Sequence, residues 1–255
     1  MKAMHVWPLL TVAVLGGCGG QFILSAPDQV APTGGFAATV VRIQRTELAF
    51  LPLAVSDAAL RMQIADSPMR ASHSDKHGYA GAHVPAPTRA GTYALRIDHQ
   101  NTDGEETSAT VPAYVWDPNV RIVAVDISSL PESGKEVEDA LAALRRIAAG
   151  GKILYLTQDR YVRSEKLHGN LEAMGYPDGP ILPWRLGGLG AKEASPLSRL
   201  KETFPGLETG LCLSPDAAEA FTRARMKCIV VGKSPPSSPN ASVRFSWAEL
   251  AAKGL

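Results

Sequence analysis

The sequence predicts two domains in tandem, an all-β sandwich followed by an α/β domain built on a parallel sheet, and three observations predict them. From Gln21 to Trp116, short apolar runs (ATVVRIQ, LAFLPLAV, LRMQIAD, TYALRID, SATVPAYVW) alternate with turn material (PTGG, SDAA, HQNTDGEE) at the spacing of a sandwich. From Arg121 the pattern changes to apolar strand, amphipathic helix, apolar strand, which is a βαβ unit. Asp117-Pro118-Asn119 separates the two patterns and marks the boundary.

At the N-terminus, Lys2 precedes an apolar stretch from Val6 to Leu15, too short for a permanent bilayer span and typical of a signal-peptide core. It ends in Leu15-Gly16-Gly17-Cys18, which resembles a bacterial lipobox. That resemblance implies removal of residues 1–17 and diacylglyceryl modification of Cys18, and so a lipoprotein of the bacterial cell envelope. Gly19 follows rather than Asp, so nothing signals inner-membrane retention. In a Gram-negative cell the expected place is the outer membrane, facing the periplasm or the surface. Residues 18–30 read as a tether.

Charge excludes one class of partner. Lys plus Arg number 26 against 25 for Asp plus Glu, so nucleic-acid binding has no electrostatic footprint. The expected partners are the membrane, through the anchor, and a protein or phospholipid-headgroup ligand.

Residues 31–117 form the expected sandwich. GTYALRIDHQNTDGEETSATVPAYVW reads as a hairpin with Asp103-Gly104 near its tip. Its first strand is similar to the penultimate strand of bacterial immunoglobulin-like domains, a likeness that carries no function. His73, His77 and His83, with Asp75, fall in SHSDKHGYAGAH; their spacing matches no compact metal motif, and the stretch reads as a solvated loop.

In the α/β domain, expected over residues 120–232, RIVAVD is an apolar strand that delivers Asp126 to the carboxyl edge of the sheet, and KILYLT delivers Thr157. Between them Val137, Ala140, Leu141, Leu144 and Ile147 recur at helical spacing, and Gly150-Gly151 ends the helix. A strand-end Asp commonly caps the turn that follows. Here it also resembles the first motif of the haloacid dehalogenase (HAD) superfamily of Mg-dependent phosphohydrolases, hhhD-x-D-G-T, with Thr157 at the second. The resemblance makes Asp126 the nucleophile, but Ser128 stands where the general acid belongs, and Ser129-Leu130 replace Gly-Thr. The short SSLPES linker leaves no room for a cap domain.

GGKILYLTQDRYVRSEKLHGNLEAMGYPDGPIL resembles the matching stretch of lipin-type phosphatidate phosphatases and of the C-terminal domain of phosphatidylinositol-transfer proteins. Thr157 and Arg160 fall on that pattern, and the third-motif lysine is Lys192 or Lys201. The fourth motif should complete a Mg²⁺ site with carboxylates. Here the strand supplies Cys212 and Ser214, which leaves Asp216 to join Asp126 as a metal ligand. Cys212 and Cys228, on expected strands that flank one helix, read as buried free thiols, because disulfide geometry is demanding.

The resemblance therefore implies a catalytically degenerate site and three readings. The first is a binding or scaffolding module for phosphate-bearing ligands, with no cofactor and no catalysis. In the second, an atypical phosphohydrolase uses Asp126 and Mg²⁺. The third is a purely structural envelope protein. Beyond residue 232, GKSPPSSPNAS reads as an exposed linker. In FSWAELAAKGL, Ser246 caps a short helix with Glu249 at its third position, and Trp247, Leu250 and Ala251 dock it on the sheet.

Overall fold

A computed structural model describes residues 21–47, 51–158, 164–183, 196–231 and 243–255. Among the described residues, nine strands build the N-terminal domain: β1 (Phe22–Ser25), β2 (Gln29–Pro32), β3 (Phe36–Glu47), β4 (Leu51–Ala54), β5 (Ala59–Ile64), β6 (Arg70–His73), β7 (Tyr79–Pro85), β8 (Gly91–Gln100) and β9 (Glu106–Trp116). In one sheet β3 pairs with β1, β4 and β7; the other runs β2-β9-β8-β5-β6. Every pairing is antiparallel except β2 with β9. Alternate residues of both sheets meet in one core, which includes Val41 and Ile43 from β3 and Leu60, Met62, Leu95 and Ile97 from β5 and β8. The β8–β9 hairpin turns at the expected place, with Gly104 at φ +84.

Two expectations for this domain need correction. The stretch 18–30 is not a tether throughout, because Phe22–Ser25 pairs with Arg42–Arg45 and β2 begins at Gln29. The histidine-rich stretch is not one loop. β6 ends at His73, β7 starts at Tyr79, and between them Asp75 Oδ1 accepts from the amides of His77 and Tyr79 at 2.8 and 2.9 Å.

The C-terminal domain contains β10 (Ile122–Asp126), α1 (Lys135–Gly150), β11 (Lys152–Thr157), α2 (Ser164–Ala173), β12 (Ile181–Pro183), α3 (Pro196–Thr203), β13 (Leu207–Cys212), α4 (Pro215–Arg223), β14 (Lys227–Val231), β15 (Val243–Phe245) and α5 (Trp247–Lys253). Its six strands are all parallel, in the order β12-β11-β10-β13-β14-β15. This is a doubly wound sheet whose strand order reverses between β10 and β13. Val123, Val125, Ile153 and Tyr155 pack on one face under α1 and α5, while Ala124, Leu154, Leu156, Cys212 and Cys228 pack on the other with Phe221 of α4. Gly210 admits Phe221, since a Cβ there would stand 2.5 Å from the ring.

The domain does not end at residue 232. β15 adds a sixth strand beside β14, and α5 returns along α1 with the expected capping box between Ser246 and Glu249. Trp247 and Leu250 are buried in the core, at 3% and 1% exposure. The two domains also share apolar packing. Val30, Tyr114 and Trp116 of the sandwich join the α/β core, and the Trp116 ring meets Phe204 edge-on at 6.1 Å.

Candidate functional site

The reversal of strand order puts the C-terminal ends of β10 and β13 side by side, where doubly wound proteins bind ligands. Asp126 ends β10 with a carboxylate only 1% exposed. Its Oδ1 accepts from the amide of Ser128 at 3.2 Å, and its Oδ2 from the Ser128 hydroxyl at 2.6 Å. Asp126 is thus the N-cap of a one-turn 3-10 helix, Ile127–Ser129. Burial raises its pKa, and the two bonds from Ser128 partly oppose that shift.

The loop beyond is equally committed. Leu130 N donates to Ile127 O, Ser129 Oγ to Asp126 O, and Trp247 Nε1 from α5 to Ser129 O at 3.3 Å. With the amides of Ser128 and Leu130 spent, this loop has two fewer donors for an anion.

The other expected site residues separate. Thr157 lies half-buried at the end of β11, beside the switch point. Asp216 is exposed in the first turn of α4, behind the N-cap Ser214 and Pro215, where a carboxylate complements the helix dipole. Lys201 is the clear correction. It sits on α3, and its Nζ donates to Leu207 O at 3.3 Å, at the amino end of β13 and the opposite edge of the sheet from Asp126. Arg160, Lys192 and Cys18 lie outside the described residues.

Magnesium does not fit what is present. The Asp126 carboxylate is buried and bonded through both oxygens, Cys212 supplies soft sulfur, and no group of three or more His, Cys, Asp or Glu side chains gathers among the described residues. Cys212 and Cys228 form no disulfide and are buried on adjacent strands, with their sulfurs 3.2 Å apart. The Cys228 contact and burial push the Cys212 thiol up, out of the range of a reactive thiolate.

A second recess lies between the domains. The outward face of β3 and β7 (Phe36, Val40, His83) and the facing β12 and α3 (Leu182, Arg199, Thr203) enclose a cleft of about 380 Å³. Asp28 borders it, fully buried, with Oδ2 bonded to His168 Nε2 and to Ile181 N, both at 2.7 Å, and Oδ1 without a partner among the described residues. The lining comes from five segments remote in sequence, and no local motif announces it.

No protein-family model matches the chain, and no curated protein does. Among solved structures, the chain is similar to the CARDB domain of the PF1109 protein from Pyrococcus furiosus, crystallised with di-metal ions, at 14% identity over 38% of this chain and 90% of that one, TM-score 0.25. It is similar to a family 39 glycoside hydrolase from Bacteroides cellulosilyticus at 11% identity over 82% of this chain and 50% of that one, TM-score 0.28. A sialyltransferase from Photobacterium damsela matches at 9% identity over 87% and 36%, TM-score 0.22. The chain spans half or less of the length of the two enzymes. Likenesses at this level carry no functional argument.

Proposed function

We propose that this chain is an envelope lipoprotein anchored through Cys18, in which an immunoglobulin-like sandwich is the stalk and a degenerate HAD-like domain is a binding or scaffolding module. The observation that carries the reading is the state of Asp126: a nucleophile must reach phosphorus, whereas this residue is 1% exposed and its two oxygens are turned to Ser128 as hydrogen-bond acceptors. The strand order, with Asp126 closing the first strand, supports the HAD-like assignment.

Binding falls to the cleft between the domains, where Arg199 adds a positive charge to a lining that is otherwise largely apolar, as a phosphate-bearing ligand requires. Titration calorimetry of the mature chain tests both halves. The reading expects heat from inorganic phosphate that Arg199→Gln removes, and none from MgCl₂. Mg²⁺ binding abolished by Asp126→Asn contradicts it.

A further inference from the structure

We propose that the free end of the sandwich rests on the bilayer, with Leu51 and Leu53 of β4 as its membrane contact; this depends on the anchor at Cys18 argued above. β4 is the edge strand of its sheet and is exposed along its whole length. Leu51 is the most exposed large apolar side chain among the described residues at 62%, and Leu53, on the same side of the strand, is 49% exposed. A leucine pair left in water on an edge strand invites a partner.

The path of the chain says which partner. Gln21 O accepts from both the amide and the hydroxyl of Thr46, at 2.9 and 3.0 Å, and Thr46 pairs with Pro52, between the two leucines. Three residue steps separate Cys18 from Gln21, a reach of about 11 Å at full extension. A bilayer that holds acyl chains on Cys18 is therefore brought against Leu51 and Leu53.

The direction of β9 agrees with this orientation. β9 leaves this end at Glu106 and reaches the α/β domain at Trp116, ten residue steps or about 34 Å further along the strand. The contact is apolar. The neighbouring β8–β9 tip, placed here by the Phe22–His99 ring contact at 4.9 Å, carries Asp103, Glu105 and Glu106, which anionic headgroups repel.

Depth-dependent quenching tests the proposal on the full lipidated protein in phosphatidylethanolamine/phosphatidylglycerol vesicles. An environment-sensitive label on Leu53→Cys or Leu51→Cys should lose fluorescence to a lipid-borne quencher, in low and high salt alike. The same label on Glu219→Cys, exposed on α4, should not. Mass spectrometry of the same sample reports Cys18 acylation separately. An acylated protein whose labels at 51 and 53 escape quenching, whether solvated or covered by a second copy, overturns the membrane contact and leaves the anchor standing. An unacylated Cys18 removes both.

Discussion

His168 Nε2 stands 2.7 Å from Asp28 Oδ2, and this pair joins the α/β domain to a strand entry of the sandwich. Asp28 is buried at 1% exposure, so its charge is compensated across the join by His168 and the amide of Ile181. Nearby, the Tyr114 hydroxyl donates to Asp178 at 2.9 Å. Two units expected as domains in tandem are tied by polar bonds as well as by Trp116.

The pair makes stability depend on pH. The hydrogen bond to Asp28 raises the pKa of His168 above its ordinary 6.5, with burial opposing. A raised folded-state pKa means the stabilisation is fully present below 6.5 and lost as pH rises through the higher folded value. Melting temperature should therefore fall across that window in the wild type, and His168→Gln should flatten the fall.

Cleavage of the exposed link near Asp117–Asn119 should leave the two pieces associated. Gel filtration after limited proteolysis checks this, since removal of the sandwich would expose Phe204 and strip Tyr114 from Asp178. Fragments that elute separately contradict the shared packing.

Trp247 ties α5 to the loop after β10. Trp247→Ala should cost about 3–5 kcal/mol in denaturant unfolding, the range for a buried large aromatic. The loss should be larger than for Lys253→Ala, whose side chain is mostly exposed.

Both strand thiols should resist modification. Native protein should show no reaction of Cys212 or Cys228 with a thiol reagent, and denatured protein should show both react, because each is buried within the sheet. Fast native labelling of either contradicts the packing.

Periodicity carried much of this fold. The alternation in GTYALRID, the helical spacing from Val137 to Ile147 and the Ser246/Glu249 pair are local signals, and local hydrogen bonds realise them. β1, β2 and β15 were not legible because each has four residues or fewer and gains its strand geometry only by pairing with a longer neighbour. The candidate site was legible in part. Asp126 ends its strand as read, but whether its carboxylate is free depends on the rotamer of Ser128, which spacing cannot give. Lys201 fits the expected order along the chain, yet α3 delivers it to the wrong edge of the sheet. Asp28 and His168 are 140 residues apart, and their partnership exists only once the domains have docked.

The central claim is that Asp126 is a cap and not a nucleophile, and steady-state assay of the mature chain with Mg²⁺ tests it most directly, using p-nitrophenyl phosphate and phosphatidate. The account predicts no turnover above the buffer rate for the wild type and for Asp126→Asn alike. The variant should keep its fold, since Asn also caps well, while Asp126→Ala should lose about 1–2 kcal/mol. Turnover by the wild type that disappears in Asp126→Asn would contradict the account and assign the chain to the phosphohydrolases.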